Sequence, residues 1–256
     1  MPSPGHSESL QRVWLRVAAR VGASAERGRQ LITVLHRDMR SRRLAGGGQV
    51  LVVYSAAGIA RRHGQAQRLR LVVLSAGANC RLSMLPGLGW ECLVLAGEIA
   101  VDGEQLGPLD HHHHPAGRVR ICLFSAEGAR LLVREARVSP GSGPLATQRA
   151  ARSAWQQLPG GIGRRQLGGV GTQRTSLQRL APGSALPAHR HSGDEECLLL
   201  EGEMFVDDRL LRAGDYQVAP AGTVHNTITT DAGALLYRRG DADLDADLDA
   251  ALGDRS

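Results

Sequence analysis

Two stretches in the second half of the sequence decide how this chain folds. They read GSALPAHRHSGDEECLLLEG from Gly183 to Gly202 and GDYQVAPAGTVH from Gly214 to His225. In the first stretch one residue separates two histidines, so on a β-strand both imidazoles point to the same face. The second stretch adds a histidine after a Pro-Ala-Gly turn, which brings it in from a neighbouring strand. The pattern predicts short strands and turns that direct metal-ligating side chains toward one point.

Four side chains in these stretches are candidate metal ligands: His189, His191, Glu195 and His225. Three imidazoles and one carboxylate suit Fe(II), Mn, Ni, Co or Zn, and the residues alone do not choose among these ions. An octahedral ion held in this way keeps two positions open for a substrate or dioxygen. Glu196 competes with Glu195 for the carboxylate role, and the spacing from both the histidines and Gly202 favours Glu195.

The sequence also contains an internal repeat. Residues 91–117 read ECLVLAGEIAVDGEQLGPLDHHHHPAG, and residues 196–222 read ECLLLEGEMFVDDRLLRAGDYQVAPAG. At a constant offset of 105 residues, 13 of these 27 positions are identical. Such self-similarity indicates a duplicated structural unit of about 100 residues.

The first copy has lost the candidate ligands. At the offset of 105, the four ligand positions are occupied by Met84, Pro86, Trp90 and Arg120. We therefore expect the first copy to bind no metal. Glu196 does have a counterpart, Glu91, which indicates a structural role that both copies share. The run His111–His114 aligns with a strand of the second copy, and we expect it to be exposed or half-buried rather than a functional site.

Short apolar runs broken by Gly, Pro and Asp predict β-strands in both copies, and regularly spaced short strands are typical of sandwiches and barrels. We predict an all-β chain with two tandem barrels and a short helical N-terminal segment. The predicted divisions are a helical segment at 1–46, a metal-free barrel at 47–138, a linker at 139–151, a metal-binding barrel at 152–240 and an acidic tail at 241–256.

The N-terminal segment has helical patterning. Two helices are predicted, Ser9–Val21 and Ser24–Leu44, each beginning at a serine that can cap it and each followed by glycine. An apolar stripe on the first helix favours a hairpin that packs on the first barrel or makes a homodimer contact. A weak helix-turn-helix pattern over 17–31 leaves DNA binding as an alternative.

The two decisive stretches match the signature motifs of the cupin superfamily, G-x5-H-x-H-x3-E-x6-G and G-x5-P-x-G-x2-H, at every spacing. Within this superfamily, the second copy resembles the cupin domain of ChrR-type anti-sigma factors. The resemblance lies in three segments: WQQLPGGIGRRQL from Trp155, then RLAPGSALPAHRHSGDEECLLLEGE, then AGDYQVAPAGTVH. The resemblance implies double-stranded β-helix (jelly-roll) barrels, with zinc or another divalent metal bound by His189, His191, Glu195 and His225. The sigma-binding domain of that family, at its N-terminal end, carries a C-x-x-C pair. In this sequence the first cysteine is Cys80, so the N-terminal segment lacks that pair.

Composition narrows the remaining functions. The chain has 31 basic residues, all arginine, and a net charge of +6. No apolar run is long enough to span a membrane. Its four cysteines lack C-x-x-C spacing, so we expect reduced core thiols in a cytoplasmic protein.

The sequence leaves two candidate functions open. One is a metal-dependent oxygenase of small molecules, such as a diketone or a phenol. The other is a non-catalytic, ChrR-like regulatory or stress-sensing protein. The expected partner is a small-molecule ligand or oxidant in the second barrel, and the sequence favours neither a nucleic acid nor a sigma factor. Tyr216, Asn226 and Tyr237 are candidate acid or base groups by their proximity to the motifs alone.

Overall fold

The computed structural model describes residues 31–55, 66–114, 119–136, 146–170 and 173–241. In these ranges the regular structure is β-strand, apart from three short 3-10 turns at His36–Asp38, Ala150–Arg152 and Pro159–Gly161. Up to residue 148 the strands are β1 Ile32–Val34, β2 Ser41–Arg43, β3 Gly48–Ser55, β4 Ala66–Leu74, β5 Ala78–Ser83, β6 Gly89–Gly97, β7 Ile99–Val101, β8 Glu104–Leu106, β9 His111–His114, β10 Arg120–Ser125, β11 Ala129–Ala136 and β12 Ala146–Gln148. The prediction of an all-β fold is confirmed.

The remaining strands belong to the second copy. They are β13 Gln156–Leu158, β14 Ile162–Val170, β15 Gln173–Leu180, β16 Ala185–Leu186, β17 His189–Arg190, β18 Glu195–Val206, β19 Arg209–Arg212, β20 Tyr216–Ala219, β21 Val224–His225, β22 Ile228–Thr229 and β23 Ala234–Asp241. The repeat is visible in the strand bounds, since β9 and β11 correspond residue for residue to β20 and β23 at the offset of 105.

The first copy consists of two antiparallel sheets. Seven strands lie in the order β12-β9-β6-β11-β4-β3-β2, and four lie in the order β5-β10-β7-β8. Along β5 and β10 buried and exposed residues alternate strictly. That alternation puts one face of the four-stranded sheet on a core. The core includes Cys80, Leu82, Ile121, Leu123, Leu131 and Val133.

The second copy has a corresponding arrangement. Its main sheet runs β1-β20-β18-β23-β15-β14-β13, while β16, β19 and β22 attach to it and β17 pairs with β21. The long strand β18 therefore connects the region of the histidines to the centre of the sheet. A second core lies inside this copy and includes Ile162, Leu186, Leu199, Met204, Leu211 and Leu236.

A third apolar core joins the two copies. It contains Leu69, Leu93 and Leu132 from the first copy, and Leu177, Leu198, Tyr216 and Tyr237 from the second. The central strands of both copies are thus buried on both faces, one face in each copy's own core and the other in the interface. Such strands lose the simple alternation of polar and apolar residues.

One part of the predicted N-terminal helix is wrong. Residues 31–44, assigned to the helix Ser24–Leu44, form β1, a 3-10 turn and β2 instead. Strand β1 pairs along β20, with Ile32 opposite Val218, and β2 pairs with β3. Sheet pairing with a distant edge has overridden local helix propensity here. The helix Ser9–Val21 lies outside the described residues.

The structure covers the predicted linker and tail only in part. Residues 146–148 of the linker form β12, which pairs with β9 of the first copy. Residues 242–256 of the acidic tail lie outside the described ranges. Among the residues described, no helix has the length and hydrophobicity needed to cross a bilayer.

Candidate metal centre

Two short strands place the histidines beside one another. His189 on β17 and His225 on β21 are direct partners in the strand pair. His191 follows at once, where its backbone N–H donates to the carbonyl of Thr223 (3.0 Å) and its carbonyl accepts from Gly222 N–H (2.7 Å). The Pro-Ala-Gly turn therefore fixes the first two histidines against the third. The ring centroids of the three imidazoles lie 4.7–5.4 Å apart.

The carboxylate comes from the first residue of β18. The nitrogens and oxygens of His189, His191 and Glu195 that could serve as ligands all lie within 4.8 Å of one another. Glu195 Oε2 is 3.9 Å from His191 Nδ1. The structure thus brings all four predicted side chains to one place, with His225 in contact with both other imidazoles.

Several nitrogens in the cluster have no hydrogen-bond partner. Both ring nitrogens of His191 and Nδ1 of His225 are buried and unpaired among the described residues. Buried polar atoms without a partner cost free energy, so they require an explanation. His189 is different, since its Nδ1 lies 2.9 Å from the carbonyl of Pro187 and donates to it, which leaves Nε2 as the acceptor. These orphaned nitrogens and the ordered tautomer of His189 fit a metal site.

Electrostatics keep the cluster in the protonation states that ligands require. Burial lowers the pKa of His225 to about 3 and also lowers the pKa of His191. Burial alone would raise the pKa of Glu195, but Arg238 and the three neighbouring imidazoles together outweigh it, and the result is a pKa of about 2. At neutral pH the buried imidazoles of His191 and His225 are neutral and the carboxylate is ionised.

Arg238 is the functional residue that the sequence analysis missed. Its Nε and Nη2 both donate to Glu195 Oε2, each at 2.7 Å. A charged residue within a strand is usually exposed, so its position alone gave no signal. A signal did exist, because residues two apart on a strand share a face, and Arg238 shares its face of β23 with the buried Leu236.

The cavity beside the cluster is small. Its volume is about 20 Å³, which is room for about one water molecule. Its polar lining includes Gln178, Cys197, Gln217 and Arg238, and its apolar lining includes Leu186, Met204, Val206, Ile228 and Leu236.

The three suggested acid or base groups lie elsewhere. The hydroxyl of Tyr216 donates to Glu196, and that of Tyr237 donates to Glu91, both at the interface between the copies. Asn226 donates from its side chain to Asp207 Oδ1 at 2.5 Å. Neighbours in sequence on a strand point to opposite faces, which is why proximity to the motif misled.

The histidine run of the first copy has structural contacts. His111 Nε2 lies 3.2 Å from Glu91, His112 Nδ1 lies 2.9 Å from Thr147 Oγ1, and the ring of His114 stacks on Trp90. His111 and His112 are buried, so the expected exposed or half-buried strand is wrong for these two. Within the described ranges, the His189 cluster is the one group of three or more side chains suited to hold a metal.

Two of the four residues that replace the ligands in the first copy are buried, whereas Pro86 and Arg120 are exposed. Trp90, at the place of Glu195, is 2% exposed. Met84, at the place of His189, contacts Arg70, which pairs with buried Glu135 at 2.6 Å. The cysteines are free thiols, of which Cys122 is exposed rather than in the core.

Solved structures share this fold. An oxalate decarboxylase from Lactobacillus farciminis, in its formate complex, has a TM-score of 0.66 at 13% identity over 82% of this chain and 86% of that one. A candidate dioxygenase from Nostoc punctiforme has a TM-score of 0.62 at 20% identity over 84% of both chains. The protein YlbA from Escherichia coli has a TM-score of 0.64 at 14% identity over 82% of this chain and 90% of that one. The class of fold is that of the cupins.

A family match is found for the second copy. Residues 145–241 match the family described as the ChrR Cupin-like domain, in agreement with the resemblance of its motifs. No curated protein sequence matches the chain.

Proposed function

We propose that this chain is a bicupin that binds one divalent metal ion in its second barrel. The ligands are His189, His191, Glu195 and His225, and the first barrel binds none. The observation that carries the proposal is the set of buried ring nitrogens without partners on His191 and His225, in a cluster of three imidazoles beside the ionised carboxylate of Glu195. A bound cation would satisfy those nitrogens and offset the charge of the carboxylate.

The division into two barrels is part of the proposal. Its support is the separate core inside each copy and the repetition of the strand bounds at the offset of 105. We assign 47–138 to the first barrel and 152–240 to the second.

When bound, the metal would supply a Lewis acid with coordination positions open to a small guest. The chain's own residues prepare the site. Pro187 fixes the tautomer of His189 through its carbonyl, and Arg238 holds the carboxylate of Glu195 in place. Leu186, Met204 and Ile228 line the cavity and exclude water.

The metal could serve either of two functions. A metal-dependent oxygenase of small molecules is supported by the fold shared with the candidate dioxygenase. A non-catalytic regulatory or stress-sensing protein is supported by the ChrR-like match and by the cavity, whose volume of about 20 Å³ is too small for an organic substrate unless its walls move. Both functions require the same metal centre.

Metal analysis tests the proposal. Wild-type protein, dialysed extensively, should retain about one divalent ion per chain. His189→Ala combined with His191→Ala should lose it, because removal of two of four ligands abolishes a tight site. Glu196→Gln is the control and should keep the metal. Full metal retention in the double histidine variant would refute the proposal.

A second pair of measurements separates the two functions. The anaerobically prepared Fe(II) form of an oxygenase should consume dioxygen with a small diketone or catechol, and Glu195→Ala should abolish the uptake. A regulator should instead lose its partner when the N-terminal segment is removed. That truncation should stop at residue 30, because β1 pairs with β20 and the N–H of His36 donates to Asp215 at 2.7 Å. Deletion through residue 46 would also damage the second copy.

A further inference from the structure

Two adjacent strands of the second copy carry charges on both faces. On β18, Glu195 faces the imidazoles and Glu196 faces the interface with the first copy. On β23, Arg238 faces the cavity and Arg239 faces the interface, with Glu196 directly opposite Arg239 in the strand pair. Because neighbouring residues are joined through a rigid strand, whatever fixes the interface side also fixes the cavity side.

The first copy holds the interface side with Arg134. Its Nη2 donates to Glu196 Oε1 at 2.9 Å, and its Nε lies 3.4 Å from Oε2. The two contacts form a fork, which fixes the direction of the carboxylate as well as its distance. The Tyr216 hydroxyl also donates to Glu196, at 3.2 Å. Arg134 is 2% exposed and Glu196 is 3% exposed, so water does not compete for these bonds.

The contact between Arg134 and Glu196 is one half of a cluster with approximate two-fold symmetry. At the offset of 105, Glu91 corresponds to Glu196 and Arg134 corresponds to Arg239. Glu91 accepts from the hydroxyl of Tyr237 at 3.0 Å and lies 3.8 Å from Arg239 Nη1. Each copy thus offers a glutamate to an arginine of the other. Arg134 Nη1 also lies 3.7 Å from Glu91, so the two glutamates and two arginines share and balance their charges. Loss of one member leaves the buried cluster with an excess unit charge.

We infer that Arg134, a residue of the metal-free copy, is a positioning residue for the metal ligand Glu195. It acts through Glu196, by fixing the register and direction of the first residues of β18. The inference rests on the proposed metal site. It assigns the first copy a role in the site although that copy contributes no ligand.

The test compares two arginine variants of the first copy. Arg134→Met leaves the Glu196 carboxylate without its forked donor, and the carboxylate must move to find another. Arg70→Met is the matched control, because Arg70 is also buried and paired with a buried glutamate, Glu135, but within the first copy's own core. Both variants should be less stable than the wild type. Arg134→Met should lower the affinity for Zn²⁺ or Co²⁺ about 10- to 100-fold, as loss of an outer-shell partner does, and Arg70→Met should leave it within about threefold.

The titrations are made well below the melting temperature of each variant, where the whole population is folded. The visible absorption of the bound Co²⁺ provides a second readout, because it reports the arrangement of ligands and is insensitive to global stability. It should change in Arg134→Met and stay unchanged in Arg70→Met. Arg134→Met combined with Glu196→Gln removes the excess charge but does not restore the forked contact. This double variant should therefore regain stability while its affinity stays reduced as in Arg134→Met.

The outcomes are distinct. Wild-type affinity and an unchanged Co²⁺ spectrum in Arg134→Met would overturn the inference and leave the metal site intact. Equal losses in Arg134→Met and Arg70→Met would also overturn it, since destabilisation would then explain both. Failure of the wild type itself to bind metal through His189 and His191 would refute the proposed function instead.

Discussion

Replacing Glu195 and Glu196 by glutamine, one at a time, distinguishes the proposed metal ligand from its neighbour in the sequence. Glu195 and Glu196 are both buried, and each accepts from a buried arginine, Arg238 at 2.7 Å and Arg134 at 2.9 Å. Replacement of either by glutamine removes a carboxylate charge that a buried arginine faces, which costs up to about 3 kcal/mol, although Glu91 still lies 3.7 Å from Arg134. For a chain of this size that lowers the melting temperature of the metal-free protein by roughly 6–12 °C. In stability, the two variants should therefore be nearly equal.

In metal affinity they should differ. Glu195→Gln removes the one anionic ligand, so affinity should fall at least about 100-fold, or roughly 3 kcal/mol. Glu196→Gln removes no ligand and keeps one oxygen, which can still accept from Arg134, so affinity should stay within about threefold. Titration with Zn²⁺ against a competing chelator at pH 7 measures both. If Glu196→Gln loses the metal and Glu195→Gln keeps it, the register of β18 is wrong by one residue, and every side chain on that strand changes face.

Two further predictions concern pH and backbone geometry. The pKa of His225 is about 3 in the folded protein against an ordinary value of 6.5, so between these values the unfolded chain binds a proton that the folded chain does not. The contribution of His225 to the free energy of unfolding of the metal-free protein is therefore complete above pH 6.5. It falls on acidification toward pH 3, by up to about 1.4 kcal/mol per pH unit. Urea midpoints against pH should show the fall, and His225→Gln should flatten it; an identical slope in that variant would contradict the assignment. Gly202→Ala should destabilise by roughly 1–3 kcal/mol more than Gly183→Ala, because both glycines have φ of +77° but only at Gly202 would a Cβ overlap backbone, at the carbonyl of Gly233. Equal thermal shifts in the two glycine variants would show that the overlap is relieved without cost.

The candidate site was largely predictable because its information is local. Two residues separated by one position on a strand share a face, and a proline-glycine turn returns the chain. His189, His191, Glu195 and His225 could therefore be grouped without knowledge of the rest of the fold. The internal repeat added the assignment of Glu196 to a structural role, and its contacts with Arg134 and Tyr216 agree with that role.

What the sequence did not predict depends on contacts between distant segments. Residues 32–34 carry a helical pattern, yet they complete the edge of β20, about 180 residues away in the chain. Arg238 is buried because its partner Glu195 lies on the neighbouring strand, a pairing that no local pattern specifies. The same applies to Tyr216 and Tyr237, whose positions beside the motif suggested catalysis. The hydroxyl of Tyr216 donates to Glu196 of its own copy, and that of Tyr237 donates to Glu91 across the interface.

The two copies have diverged on one face of the same strands and agree on the other. The four candidate ligands correspond to Met84, Pro86, Trp90 and Arg120, of which Met84 and Trp90 are buried on the inner face and Pro86 and Arg120 are exposed. On the interface face the glutamates and arginines of both copies are the same residue types, and Gly97 and Gly202 both have positive φ. Side chains on opposite faces of a strand are packed against different neighbours, so one face can change while the other stays fixed. The first copy thus shows how this framework is packed where His189 and Glu195 have no counterpart, with Met84 and Trp90 buried in their places. Alanine in the histidine variants removes ligands without filling their space, so loss of metal is interpreted together with the melting temperature of each variant.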